Sequence, residues 1–456
     1  MKEIVAALLV VLAPSIASAQ LSAGASVSVA PPPGTTNVRW PDVAHDPAAD
    51  VYLAVSGAGN IMGQYVAAGG SLIGDAFRTS AVDLFGQAPR VTHGGGAFLV
   101  AWHETIGDAT RIRGRLLRYR QPALTGDFDI SPLGTNWEMG AATAYSRDSN
   151  EYLVVWQGTG NTIAAQRVSA AGALLGAPLS LGAPPRYHRD PAVTWSGASN
   201  EFVVAYGGCV ADNDCFAEGR RVQAGTGAIL GTFALDSGVK AVYTPELAYN
   251  PTTRQVLAVW HRRADRTTFQ SRRINPDGTL DGPPFEVTAR YTSYDANGLA
   301  YNAVSNTFLF VTHSDSASDV AIELGARGEP RGELLFAPAT TKGNFNPRVV
   351  ARGVTDARAE WLAVTSTEFT KLTAQSIATL TRDAPGAVDA GVADSAVDAR
   401  SDAIPDTLAP ADTAPLEDAG CGCTTGTRSP SAGMAVAFAA IVAWRVARRV
   451  TPVGRR

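Results

Sequence analysis

Three of the six histidines share one repeating position. His103, His261 and His313 each follow a short apolar run directly, and Gly57, Gln157, Gly207 and Ser366 stand in the same place after four other runs. Equivalent positions in a repeat array fall on one face. Three imidazoles converging there would have the donor type of a metal site; a solvated polar rim is the commoner outcome. Glu104, Asp108, Asp265 and Asp315 lie in the stretches that follow and add negative charge to such a rim. Loops held by a rigid frame are where recognition usually sits. His103, Glu104, His261 and His313 are therefore the ligand-binding candidates, with no metal and no cofactor assigned.

No catalytic residue is assigned. The sequence has no zinc-protease helix motif, no phosphate loop and no nucleophile elbow in a strand-turn-helix setting. Cys209 and Cys215 bracket Val210-Ala211-Asp212-Asn213-Asp214, a spacing that predicts a local disulfide in an exported protein. Calcium held by Asp212, Asn213 and Asp214 is the sharper alternative, but EF-hand spacing and a distal Glu are missing. Trp102, Trp156, Tyr206 and Trp260 suggest a sugar-stacking set. Their position at the ends of apolar strands favours packing between repeats.

The elements that must carry these residues repeat. Tyr52-Leu53-Ala54-Val55-Ser56 is the first of seven apolar runs, followed by those starting at Phe98, Tyr152, Phe202, Val256, Phe308 and Trp361. Their spacing of about fifty residues marks a repeat array. Each run follows a shorter strand and a polar turn, as in Pro191 to Trp195, then Ser196-Gly197-Ala198-Ser199-Asn200-Glu201. A hairpin is the expected result. Several first strands begin with Pro, at Pro41, Pro89, Pro191, Pro245 and Pro347. Pro is expected to open the strand, where no ladder N–H is needed. A looser third strand and a short fourth strand follow. Between them stand paired glycines at Gly70 and Gly74, Gly172 and Gly176, Gly227 and Gly231, Gly278 and Gly282, and Gly328 and Gly332.

Four strands in each of seven repeats predict an all-β fold: a seven-bladed β-propeller of four-stranded blades. The apolar runs need cover on both faces, which neighbouring blades supply. The period exceeds that of WD repeats and approaches that of kelch repeats, but neither motif stands in register, so no propeller family is named. The last repeat, Pro347 to Leu380, lacks a fourth strand. Ala25-Ser26-Val27-Ser28-Val29 is an orphan alternating strand near the amino terminus. It is expected to complete the last blade and close the ring, removing exposed edges.

Residues 1–19 read as a secretory signal, with Lys2, an apolar core from Ile4 to Leu12, and Ala17-Ser18-Ala19 before Gln20. The apolar core is too short to span a bilayer. The propeller is expected over 20–382, where the net charge is about −2. That argues against a nucleic-acid partner held through phosphates. Residues 383–419 hold nine acids and one Arg, are rich in Asp, Ala and Pro, and read as a disordered linker.

The last segment, 420–456, joins Gly420-Cys421-Gly422-Cys423 to an apolar stretch from Ala432 to Val446 and a basic end with Arg445, Arg448, Arg449, Arg455 and Arg456. It resembles the MYXO-CTERM sorting tail of myxobacterial surface proteins, over residues 420–456 alone. The resemblance implies a precursor held at the inner membrane, processing near Cys421 by a sorting protease, and delivery to the cell surface or outer membrane. It also raises lipid attachment at Cys421. Arg445 inside the apolar stretch and Thr451-Pro452-Val453-Gly454 after the basic cluster depart from the pattern. The plainer alternative is a simple C-terminal membrane anchor.

These readings converge on a surface-anchored binding or adhesion module whose partner is an extracellular protein or a glycan. The alternative is a secreted propeller hydrolase or lyase acting on polysaccharide, which rests on fold analogy.

Overall fold

The structure is a computed structural model that describes residues 20–29, 38–80, 85–121, 123–134, 139–182, 187–211, 214–288, 297–313, 318–336, 344–352, 360–367 and 371–380. The expected signal, the linker, the Gly420-Cys421-Gly422-Cys423 tail, Asp212, Asn213 and Asp315 lie outside these residues.

Seven antiparallel sheets make up a seven-bladed β-propeller. Blade 3 shows the plan. From the central axis outward it runs Met139–Ser146, Glu151–Gly158, Thr162–Ser169 and Leu174–Gly182. The apolar runs form the second strands, and they are buried along nearly their whole length. Period-2 alternation explains why. Leu153 and Val155 pack with Phe202, Val204 and Tyr206 of blade 4, whereas Tyr152, Val154 and Trp156 pack with Leu99 and Ala101 of blade 2. The same handover recurs around the ring, and Leu362 and Val364 of blade 7 meet Tyr52 and Ala54 of blade 1. Trp102, Trp156, Tyr206 and Trp260 are therefore core residues between blades.

In blades 1, 3, 4 and 6 the polar turn after the inner strand has a local cause. Asp50, Asn150, Asn200 and Asn306 take left-handed conformations with φ of 51°, 52°, 50° and 51°, which Asp and Asn tolerate better than most residues. The aromatic residue five positions earlier fastens each one. Trp195 Nε1 donates to Asn200 Oδ1 at 3.0 Å, Tyr301 OH donates to Asn306 Oδ1 at 3.0 Å, and His45 Nε2 lies 3.1 Å from Asp50 Oδ1.

Pro41 stands just before its strand, Asp42–Asp46, as expected, but the other four prolines sit differently. Pro89, Pro191, Pro245 and Pro347 lie inside longer inner strands, Phe85–Gly94, Tyr187–Ser196, Ala241–Asn250 and Asn344–Ala351. Each falls at a register shift, after a residue of positive φ: Ala88, Asp190, Thr244 and Asn346. A bulge releases the ladder N–H that Pro lacks. In these four blades the repeated Pro thus marks a bulge rather than a strand start.

The ring closes as expected. Gln20–Val29 pairs antiparallel with Lys371–Leu380 as the outer strand of blade 7, from Gln20 opposite Leu380 to Val29 opposite Leu372. It is longer than the orphan strand read from the sequence. A register shift between Ala23 and Ser26 is filled by Gln375, whose Nε2 donates to the Gly24 carbonyl at 2.6 Å.

Candidate functional site

The four rim candidates are spread over three blades, and none lines the central cavity. His103 and Glu104 belong to the second strand of blade 2, Ala97–Ile106, where both side chains are buried. Glu104 Oε2 lies 2.6 Å from Arg111 Nη2, and its Oε1 lies 3.3 Å from Arg113 Nη1; Asp129 pairs with the same two arginines. His261 is buried in blade 5 with its ring against Tyr243 and Phe269. His313 Nδ1 lies 3.1 Å from the buried Asp319 Oδ1 in blade 6. Burial pushes the Asp319 carboxyl up, against hydrogen bonds from His313 and Thr365. Among the described residues no group of three or more His, Cys, Asp or Glu side chains is arranged to hold a metal ion. Cys209 and Cys215 face each other across blade 4 and form the expected disulfide.

Charge gathers instead at two places that the rim reading did not reach. The first is the axis. Asp42, Arg90, Ala142, Ala192, Glu246, Gly298 and Arg348 each pair with the penultimate residue of their run, so they share one register position on the seven inner strands. They line a cavity of about 160 Å³. Arg348 Nη1 donates to Glu246 Oε1 at 2.6 Å, past the blade that lies between them. Gly298 occupies that intervening position. A Cβ there would stand 2.9 Å from Val349 N and 3.0 Å from Arg348 Cα, so glycine is what lets the two blades approach. Asp42 Oδ2 accepts a hydrogen bond from Val91 N at 2.8 Å. Burial lowers the Arg90 guanidinium to about 10, helped by Arg348 and opposed by Asp42 and Glu246. Burial raises the Glu246 carboxyl, against the pull of Arg348 and Arg90. Two acids and two arginines thus balance within the axis. The sequence signal was present: the residue after the recurring Pro is charged in blades 1, 2, 5 and 7.

The second place is a cleft between blades 1 and 2, with a volume of about 430 Å³. That falls within the range of about 300–1,000 Å³ typical of small-molecule sites. One wall is blade 1, whose third strand, Met62–Ala67, and outer strand, Leu72–Arg78, present Tyr65 and Phe77. The two rings stack at 5.3 Å with an interplanar angle of 27°. The other wall is the third strand of blade 2, Ala109–Leu117, and the connection that follows it, 118–127. In blades 1, 3, 4, 5 and 6 the corresponding connection has only four or five residues. The longer one folds back on its own strand, with Leu124 N donating to Leu116 O at 2.9 Å and Leu116 N to Thr125 Oγ1 at 3.0 Å. Tyr65 OH reaches across the cleft to the Arg118 carbonyl at 3.4 Å. Burial, with Tyr119 and Asp46 adding to it, pushes the Tyr65 phenol up to about 12, so it remains a hydrogen-bond donor at neutral pH.

Guanidinium groups complete the cleft. Arg78, Arg115, Arg118 and Arg120 line it, and no acid is found among the described lining residues. Arg115 Nη1 donates to Thr79 O at 3.0 Å and to Asp127 Oδ1 at 3.3 Å. Arg78 Nη2 donates to Asn60 Oδ1 at 2.8 Å. The Arg120 guanidinium lies 5.1 Å from the Tyr119 ring centre, and Tyr119 stands edge-on to Tyr65 at 5.0 Å. Ring faces beside a fan of N–H donors suit a ligand that has an apolar face and hydroxyl groups. The sequence signal for this site is an omission: blades 1, 3, 4, 5 and 6 carry a glycine pair whose first member stands in the turn and whose second lies inside the outer strand, and blade 2 lacks it.

No family model matches the sequence, and no curated protein matches it. Solved structures do. The BP39L lectin from Burkholderia pseudomallei aligns with a TM-score of 0.56 at 12% identity, covering 74% of this chain and 95% of the lectin. A GH43 endo-arabinanase from Bacillus licheniformis aligns with a TM-score of 0.33 at 13% identity, covering 55% of this chain and 98% of that one. The Trypanosoma rangeli sialidase, solved with the inhibitor DANA, aligns with a TM-score of 0.45 at 8% identity, covering 78% and 60%. The lectin alignment supports the propeller fold.

Proposed function

We propose that this chain is a glycan-binding propeller, exported and displayed on the cell surface as a recognition or adhesion module. The observation that carries the proposal is the cleft between blades 1 and 2. It joins a stacked aromatic pair to several arginines, and it is built by the ten-residue connection of blade 2, at least twice the length of its counterparts in blades 1, 3, 4, 5 and 6. Aromatic rings bury the C–H faces of a sugar, while N–H donors engage its hydroxyl groups. That the lectin of similar fold is a carbohydrate binder agrees with this reading.

The alternative is a polysaccharide hydrolase or lyase. It would need carboxylates able to exchange protons with a substrate, in pairs about 5–10 Å apart for glycoside hydrolysis. Asp42 and Glu246 are the acids nearest to that description. They share a narrow axial cavity with Arg90 and Arg348, and Glu246 is already ion-paired, which favours a role in holding the inner strands together. Display at the surface follows from the sequence signals at both ends. Residues 1–19 would direct export, 383–419 would act as a stalk, and 420–456 would be the sorting tail, with Cys421 near the processing point.

The test is a glycan array probed with the purified full-length protein. Retention of defined oligosaccharides without release of new reducing ends is expected. Release of reducing ends or unsaturated products would favour the enzyme; no retention of any glycan would defeat the proposal.

A further inference from the structure

The cleft has more positive charge than a neutral sugar requires. We infer that its occupant is an acidic saccharide, bearing a carboxylate or sulfate, and that Arg118 and Arg120 are the groups that recognise the anion. This deepens the glycan-binding reading and rests on it.

Four arginines are among the residues that line the cleft, and no acid is found among the described lining residues. Two of the four already have partners of their own: Arg115 holds Asp127 and the Thr79 carbonyl, and Arg78 holds Asn60. Arg118 and Arg120 stand on the ten-residue connection, with Arg118 half-buried and Arg120 exposed, its guanidinium against the Tyr119 ring but paired with no acid among the described residues. Guanidinium offers a planar fork of donors that matches a carboxylate or sulfate, and such charge-assisted bonds are the stronger kind. Tyr65 and Phe77 supply a surface on which the sugar ring of the same residue can lie. The positive charge is local, because the whole region 20–382 is slightly acidic.

A nucleic acid is the other polyanion to weigh. It needs a basic track that follows many phosphates. A single cleft of about 430 Å³ fits one or two sugar residues better than a backbone.

The experiment measures binding of the purified full-length protein to four immobilised probes: polygalacturonate, dextran sulfate, neutral dextran and oligodeoxythymidine. Polygalacturonate and dextran sulfate separate carboxylate from sulfate recognition. At least one of them is expected to bind about tenfold tighter than dextran, with an affinity that falls as salt rises. The double variant Arg118→Gln with Arg120→Gln is expected to lose that preference by about tenfold or more, and the double Lys variant to keep part of it. Both changes lie in an accessible connection, and an unchanged melting temperature checks that the fold survives. Equal affinity for dextran and the acidic chains overturns the inference, as does a double Gln variant with undiminished affinity. Tighter binding to oligodeoxythymidine than to either acidic polysaccharide also overturns it. Binding to dextran alone would sink the inference and spare the glycan reading, whereas binding to none of the three polysaccharides would sink the inference and leave the glycan reading to the array.

Discussion

His103 is 6% exposed, and burial drives its pKa from the ordinary 6.5 down to about 4. His45 and His93 move in the same direction, again chiefly through burial. A lowered histidine pKa means that the unfolded chain takes up protons more readily than the folded one. Stability is therefore full above pH 6.5 and is lost as pH falls from 6.5 towards 4. For His103 alone the loss is about 1 kcal/mol at pH 5.5. Thermal melts between pH 7.5 and 5 are expected to show it, and His103→Gln is expected to flatten part of the slope. Equal slopes for the two proteins would contradict the assignment. A second expectation concerns the axis. Arg348→Met strands the buried Glu246 carboxylate and should cost about 3–5 kcal/mol. Adding Glu246→Gln removes that charge, so the double variant should recover much of the loss in a denaturant titration. Additive losses would show that the two side chains do not act as a pair.

At the level of elements, the outer strand of blade 7 decides whether the ring is closed. Gln20–Val29 buries Leu21 and Val29 and covers the edge of Lys371–Leu380. Deleting residues 20–29 would expose that edge and two apolar pockets. A loss of at least about 3 kcal/mol is expected from the apolar burial alone, together with self-association through the free edge. Denaturant titration and light scattering read the two effects separately, and an unchanged, monomeric truncated protein would refute the closure. This strand was legible beforehand, because an alternating segment without a repeat and a repeat without a fourth strand imply each other. The connection at 118–127 was harder to see. Its length and its missing glycine pair are visible in the sequence, but nothing local says that it folds back beside Tyr65 and Phe77.

For the molecule as a whole, the seven blades share one packing rule, with odd and even residues of each run going to opposite neighbours. A frame built by nearest-neighbour contacts tolerates a change in one blade without cost to the others. The cleft lies where blade 2 breaks the pattern. The near-neutral charge of 20–382 makes the two arginine-rich sites local features. Each has its own chemistry: balanced charges at the axis and unbalanced positive charge in the cleft.

The amino-acid sequence by itself determined the seven repeats, their four strands, the closing strand and the Cys209–Cys215 disulfide, because periodicity, turn residues and cysteine spacing act over short distances along the chain. Only the tertiary structure decided which polar residues meet. Asp42, Arg90, Glu246 and Arg348 come from four different blades, and Tyr65 meets Arg118 across a blade boundary. Symmetry also placed His103, His261 and His313 on second strands rather than at the axis, since the position after each run is one strand removed from the centre. Which residues become neighbours depends on the closure and twist of the ring, and those follow from long-range packing that no local pattern encodes.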